Sequence, residues 1–165
     1  PAYGTRYMGS RVYAKKARQD QEKIDGMVCL EMVGYACYEP GCQHYPFPLG
    51  VFGYPKEGNY IGIVGNFKSG DFTKALFKAF QKNPELPVVK LKIPFNVWIL
   101  PSVRLSDHAS FWDQGFKAVM ITDTAFFRNP HYHRPSDTIE KLDYRFMAEL
   151  VESLLLFFKS HQREP

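Results

Sequence analysis

A loop near the carboxyl terminus carries the residue types that most suggest chemistry. His133 lies four residues before Asp137, and Pro130 and Pro135 disfavour helix around it. Neutral imidazole is the commonest metal donor in proteins, and a nearby carboxylate fixes its tautomer through the second ring nitrogen. His133 is therefore a candidate metal ligand. The alternative is a solvated loop histidine, with Asp137 capping a turn or a helix.

A second candidate follows an apolar run earlier in the chain. Residues 26–34 read GMVCLEMVG, which predicts a short buried strand that delivers Glu31 to its carboxyl end. Burying an unpaired carboxylate is costly, so Glu31 must meet a metal ion, a cation or solvent. Pairing with an arginine or with backbone amides is the structural alternative to a metal.

Two segments resemble one enzyme family. SDHASFWDQGFKAVMITDT and NPHYHRPSDTIEKLDY are similar to the carboxyl-terminal part of the zinc-dependent exopeptidases that include bacterial leucyl aminopeptidases, with glutaminyl cyclases as distant relatives. In that family the loop after the strand carries a His-x-x-x-Asp-Thr motif whose histidine binds zinc. The resemblance implies two zinc ions as cofactor and His133 as a ligand, with Glu31 as ligand to the second ion. It also implies that Asp107 is a carboxylate near the site and that Asp137 supports the ligand loop.

The same resemblance shows what the chain lacks. Met8-Gly-Ser10 matches the downstream side of a Glu-Glu motif whose first glutamate is the general base and whose second binds zinc. The sequence contains neither Glu-Glu nor the family's His-x-Asp. We therefore expect the general base and three or more ligands to lie outside these residues. The complete enzyme would hydrolyse peptide substrates, and the isolated chain should be inactive.

Two other functions stay open at this stage. Glutaminyl cyclases share the scaffold and use the acid at the Asp107 position, although the YHRPSDT loop is more typical of a peptidase. A non-catalytic interaction domain could also keep the fold and lose the metals. Asp107 has a structural alternative as well, because it or Ser106 can cap a short helix through Gln114.

Several residues near these motifs are candidates for substrate contact. Arg104 could bind a substrate carboxylate or pair with an acid of the protein. Phe126, Phe127 and Asn129 follow a predicted strand and could line a hydrophobic pocket. The long aromatic, proline-rich loop 35–58 is either a pocket wall or a surface excursion packed by its own side chains.

Composition excludes several classes of protein. The 165 residues are 45% hydrophobic and carry a net charge of +4 without a basic stripe, so a nucleic-acid partner is disfavoured. No apolar run is long enough for a membrane span. Of three cysteines, Cys37 and Cys42 could close a small loop, and His44 is expected at the surface. The compartment cannot be read from the sequence, although the resemblance is compatible with a secreted or periplasmic enzyme.

The predicted elements alternate between helix and strand and indicate one α/β domain over residues 1–165, with helices packed on a mixed β-sheet. By resemblance this is half of a three-layer α/β/α exopeptidase fold, the last four of eight strands. Strands are predicted at 26–34, 59–65, 88–93 and 118–122, and helices at about 10–20, 69–83, 106–114 and 144–160. The first strand would be left as an edge, which predicts self-association or pairing with a missing amino-terminal half.

Overall fold

The computed structural model describes residues 5–47, 49–51, 53–93 and 101–161. Its helices are α1 (Gly9–Gln19), α2 (Gly70–Phe80), α3 (His108–Asp113) and α4 (Tyr144–His161). Its strands are β1 (Met27–Leu30), β2 (Ile61–Asn66), β3 (Val88–Ile93) and β4 (Ala118–Thr122). Short 3-10 turns cover Leu49–Val51, Pro101–Arg104, Ala125–Phe127 and Ile139–Lys141. The order of helices and strands agrees with the pattern predicted from the sequence.

The four strands form one mixed sheet in the order β1-β4-β2-β3. The outer pairs are parallel, since β1 runs with β4 and β2 runs with β3, whereas β2 and β4 are antiparallel. The register pairs Leu30 with Ile121 and Gly62 with Thr122. The carboxyl ends of β1 and β4 therefore meet at one edge of the sheet, beside the start of β2.

One face of the sheet is closed by α2 and α4. Ile61, Ile63, Val119 and Ile121 point into this layer and are fully buried against a core that includes Phe80. Gly65 of β2 lets α2 approach, because a Cβ atom there would overlap the Thr73 hydroxyl. The interdigitated apolar side chains make this face the main source of stability.

The opposite face is covered by α1 and α3 and completes three layers. Ala118 and Met120 of β4 pack there with Val64, Phe111 and Trp112. These two helices cover the sheet around Ala118, at the amino end of β4. Toward Thr122 and Gly62 the same face instead borders a pocket.

The buried face of α4 differs from the predicted one. The sequence lines Phe146–Leu150–Leu154–Phe158 and Met147–Val151–Leu155 predicted a broad apolar face. Phe146 and Leu150 are buried as predicted, but the buried face continues through Ser153 and Phe157, and Val151, Leu155 and Phe158 are about half exposed. A four-residue step advances about 40° around a helix, so a line built only from such steps rotates away from the core.

The sequence predicts Val12, Tyr13 and Ala17 as the apolar face of α1, and this prediction is wrong in part. Val12 and Tyr13 are each 52% exposed, and the buried residues are Ala14 and Ala17. The small side chains let α1 lie close to α3, where Ser10 Oγ donates to Ser110 Oγ over 3.1 Å. Among the described residues, no helix has the length and apolar character needed to cross a membrane.

Strand β1 is shorter and less buried than the predicted strand over residues 26–34. Only Cys29 is buried, whereas Leu30 is 49% exposed. Within the described sheet β1 pairs with β4 alone and so occupies an edge. Pairing of its free edge with another segment stays a prediction.

Candidate functional site

Glu31 and His133 lie in loops that leave the same edge of the sheet. Glu31 directly follows β1, and its backbone N–H donates to Ile121 O of β4 over 2.9 Å. His133 belongs to the loop that follows β4. Because β1 and β4 are parallel neighbours, both loops begin side by side.

The Glu31 carboxylate is held by a hydrogen-bonded chain of side chains. Ser106 Oγ donates to Glu31 Oε2 over 2.5 Å, and Cys29 Sγ lies 3.2 Å from the same hydroxyl. Burial raises the pKa of the Cys29 thiol, so the protonated sulfur can donate to Ser106. The serine hydrogen then points to the carboxylate, which fixes the orientation of Glu31.

His133 is exposed and stacks on its neighbour Tyr132. The two rings lie 4.0 Å apart and nearly parallel, and the backbone φ of His133 is 57°. Burial raises the pKa of the Tyr132 phenol, and the charge of Glu31 raises it further. Tyr132 is thus within electrostatic reach of Glu31 while its ring supports His133.

An apolar pocket opens beside Glu31 on the α1/α3 face of the sheet. Its cavity volume is about 130 Å³, and it opens to solvent. The floor comes from three strands: Gly62, Val64, Val89, Leu91, Met120 and Thr122. Tyr132 and the predicted pocket residues Phe126 and Phe127 line the rim, where Phe126 packs against both neighbouring rings. The predicted residue Asn129 is not among the lining residues.

The loop after β1 forms another wall of this pocket. Gln43, His44, Tyr45, Pro46, Leu49 and Tyr54 all contribute to the lining. A Cys37–Cys42 disulfide closes the small loop that the sequence allowed. Tyr45 OH donates to Pro55 O over 2.6 Å, which leaves its oxygen to accept from Tyr60 OH at 2.8 Å. His44 is exposed, and its N–H donates to Phe127 O.

Arg128 anchors this wall from beneath. It is 4% exposed, its Nε donates to Gln43 Oε1 over 2.8 Å, and its guanidinium lies 4.6 Å from the centre of the Tyr60 ring. Its Nη1 donates to Tyr35 O over 3.3 Å. Burial lowers the pKa of the guanidinium, while the nearby Asp123 and tyrosines oppose that shift.

Arg104 and Asp107 flank the start of α3. Arg104 Nη2 donates to Asp113 Oδ1 over 2.6 Å, so a substrate carboxylate would compete with this acid. Asp107 is exposed and occupies the position before the helix, but its side chain makes no capping hydrogen bond. His108 is fully buried, its Nε2 bonds Val103 O at 2.8 Å, and burial lowers its pKa to about 4.

Asn129 and Asp137 contact each other. Asn129 Nδ2 lies 3.3 Å from Asp137 Oδ1, and its own Oδ1 accepts from the His131 N–H at 2.8 Å. In the described part of the chain no hydrogen bond joins Asp137 to His133. The bond to Asn129 braces the loop after β4 without contacting the imidazole of His133.

The chemistry of the donor set suits zinc in kind but not in number. Carboxylate and imidazole are normal zinc donors, and protein sites use three or four of them. The described residues contain no group of three or more His, Cys, Asp or Glu side chains placed to hold one ion. Any zinc bound by Glu31 or His133 therefore needs donors from other residues.

Sequence reasoning missed three residues at this edge. The sequence predicts Ser106 only as a possible helix cap and gives no role to Tyr132 or Asp123. The signal for Asp123 was available, because a charged residue directly after a buried strand has to be satisfied there. The contact of Ser106 with Glu31 spans 75 residues and no local pattern predicts it.

Comparison with known proteins gives a consistent family. The profile of peptidase family M28 matches residues 5–158. The chain is 34% identical over 155 residues to the uncharacterized protein YfbL of Escherichia coli, covering 94% of this chain and 46% of YfbL. It is 47% identical over 151 residues to a probable leucine aminopeptidase of Arthroderma benhamiae, covering 91% of this chain and 34% of that protein.

Solved structures show the same fold. The aminopeptidase LapA of Legionella pneumophila superposes with a TM-score of 0.60 at 18% identity, covering 90% of this chain and 34% of LapA. An aminopeptidase from Aneurinibacillus sp. strain AM-1 gives 0.55 at 19% identity, covering 91% and 29%. The chain thus spans about a third to a half of these relatives, and the aminopeptidases among them do not favour a glutaminyl cyclase. On its sequence match and its fold, the chain belongs to peptidase family M28.

Proposed function

We propose that this chain is the carboxyl-terminal part of the catalytic domain of a zinc-dependent aminopeptidase. Glu31 and His133 each supply one ligand to a pair of zinc ions, and the remaining ligands and the general base come from residues outside the chain. One observation carries the proposal: Glu31 and Tyr132, the neighbour of His133, line one apolar pocket at the shared edge of β1 and β4.

The pocket favours a peptide substrate whose amino-terminal residue has an apolar side chain. Its floor is aliphatic, and Phe126, Phe127 and Tyr132 form its rim, so burying a leucine side chain there releases ordered water. A leucine side chain in this pocket would lie next to Glu31. Zinc, when bound, supplies Lewis-acid activation of water and of the scissile carbonyl.

The residues of this chain orient the reacting groups. Ser106 donates a hydrogen bond that orients the Glu31 carboxylate, and the Tyr132 ring stacks on one side of the His133 imidazole. Asp107 and Asp137 are carboxylates near the site. Arg104 would contact a substrate carboxylate that displaces Asp113. Apolar walls exclude bulk water and so strengthen the electrostatic interactions within the site.

The test uses a polypeptide extended to the length of the relatives. Glu31→Gln and His133→Gln should each lower the bound zinc and reduce hydrolysis of leucine 4-nitroanilide at least about a hundredfold, because each removes a metal ligand. His161→Gln, an exposed histidine near the end of α4, is the matched control and should match the wild type. Unchanged zinc content in both site variants would refute the ligand assignment.

A second experiment addresses the isolated chain. Two donors cannot hold zinc tightly, so the 165 residues alone should release no leucine from the same amide. Leucine, lysine and glutamate amides compared in the extended polypeptide should show preference for leucine. Zinc-dependent turnover by the isolated chain would contradict the proposal, because it would show that the general base and the zinc ligands lie within these 165 residues.

A further inference from the structure

Asp123 is a buried carboxylate that the proposed metal site does not use. It follows β4 directly and is 0% exposed. Burial raises the pKa of its carboxyl, while hydrogen bonds from three backbone amides and the charge of Arg128 oppose that shift. Such a group is kept in the interior only when its oxygens are fully bonded.

Both oxygens of Asp123 are bonded, and the bonds join two loops. Oδ2 accepts from the N–H of Gly34 at 3.1 Å and of Tyr35 at 2.8 Å, in the loop after β1. Oδ1 accepts from the N–H of Ala125 at 2.9 Å, in the loop after β4. The backbone of Asp123 adds a fourth bond, donating to Met32 O over 2.6 Å.

The segments held in this way have unfavourable backbone conformations. Met32, Thr124 and Ala125 have φ values of 51°, 78° and 49°, in the left-handed region that favours glycine. Non-glycine residues remain in that region only where surrounding contacts impose it. The Asp123 bonds contact or flank all three positions and so stabilise both turns.

Hydrogen bonds extend from Asp123 toward His133. The N–H of Asn129 donates to Ala125 O over 2.8 Å, and Asn129 Oδ1 accepts from the N–H of His131 at 2.8 Å. On the other side, Met32 is the residue that follows Glu31. Asp123 is therefore connected to both candidate ligand positions by short paths of hydrogen bonds and adjacent residues.

We propose that Asp123 is a positioning residue that clamps the loop after β1 to the loop after β4 and thereby fixes the separation of Glu31 and His133. The clamp is a property of this chain without zinc. Its consequence for zinc binding rests on the function proposed above.

Hydrogen exchange of the isolated chain tests the clamp directly. In Asp123→Asn, if Oδ1 keeps its bond to Ala125, the new NH₂ group faces the N–H groups of Gly34 and Tyr35. The amides of Gly34 and Tyr35 should then exchange about tenfold faster or more, relative to amides of the sheet. The matched control is Asn83→Ala, which removes a buried polar link between α2 and α4 far from the loops. Asn83→Ala should not accelerate exchange of the Gly34 and Tyr35 amides more than exchange of the sheet amides.

The outcomes separate the proposals. Equal acceleration by Asp123→Asn and Asn83→Ala, or none at Gly34 and Tyr35, would overturn the clamp. If Asp123→Asn does not fold, correlated exchange of the unmodified chain decides: one shared opening rate for Gly34, Tyr35 and Ala125 supports the clamp, and rates that differ by more than about tenfold overturn it.

Zinc affinity of the extended polypeptide, measured by competition with a chelator, tests the consequence. Asp123→Asn should weaken it about tenfold or more, whereas Asn83→Ala should not. Loss of affinity in Glu31→Gln and His133→Gln but not in Asp123→Asn would overturn the positioning role. If none of the three variants changes the affinity, the proposed function fails, and the exchange data alone judge the clamp.

Discussion

The two faces of the sheet differ although the same strands build both. Against α2 and α4, alternate residues of β2 and β4 are fully buried in a continuous apolar core. Against α1 and α3, the intervening residues are buried near Ala118 but line an open pocket near Thr122. The two-residue period of a strand allows this division, because neighbouring residues point to opposite faces of the sheet and contact different helices. One face supplies stability, and the other is left incomplete where a ligand can enter.

The largest expected effect comes from a matched pair of phenylalanines. Phe80→Ala on the closed face should cost about 3–5 kcal/mol of unfolding free energy, because Phe80 is fully buried and its removal leaves a cavity. Phe126→Ala at the pocket rim removes a side chain that is 47% exposed and should cost less than about 1 kcal/mol. Urea unfolding measures both. Similar losses would contradict the division between the faces.

Low pH should lower the unfolding free energy of the protein through His108 of α3. His108 has its pKa lowered from 6.5 to about 4 by burial, so the unfolded chain binds more protons between these values and stability falls as pH falls from 6.5 toward 4. The loss amounts to about 3 kcal/mol below pH 4. His108→Gln does not titrate there, so its stability relative to the wild type should rise by that amount. A constant difference between the two proteins from pH 7.5 to 4 would argue against this account.

Glycine-to-alanine substitutions on β2 compare the two faces of the sheet, because each adds a single methyl group to one face. Gly65→Ala would overlap the Thr73 hydroxyl and should cost about 1–3 kcal/mol, because α2 packs too closely to yield. Gly62→Ala meets Thr122 O at 3.4 Å and points to the pocket, so it should change stability by less than about 0.5 kcal/mol. In the extended polypeptide Gly62→Ala should raise KM for leucine amides. Thermal unfolding of the two variants provides the comparison.

Ser106→Ala should act locally, on the site next to Glu31. It removes the hydrogen bond to Glu31 Oε2 and should weaken zinc binding of the extended polypeptide about 10- to 100-fold. Ser110→Ala, which loses only the bond to Ser10, is the control. Equal zinc affinity in the two variants would show that Glu31 does not depend on Ser106.

Local patterns predicted the elements well and their contacts less well. The strands β3 and β4 have the bounds expected from their apolar runs, and the resemblance of residues 106–144 indicated the family. Apolar spacing predicted only the first half of the buried face of α4, because Ser153 occupies a core position as partner of Asn83, 70 residues away. Likewise, the role of Asp123 depends on N–H groups 88 and 89 residues distant. Such pairings are set by the packed fold.

The sequence's three cysteines leave a single free thiol, since Cys37 and Cys42 are joined and Cys29 is buried in β1. Cys29 is 6% exposed and its sulfur contacts Ser106, so an alkylating reagent in solution reaches it when the structure around β1 opens. The rate of modification by such a reagent therefore reports local opening next to Glu31, without any introduced label.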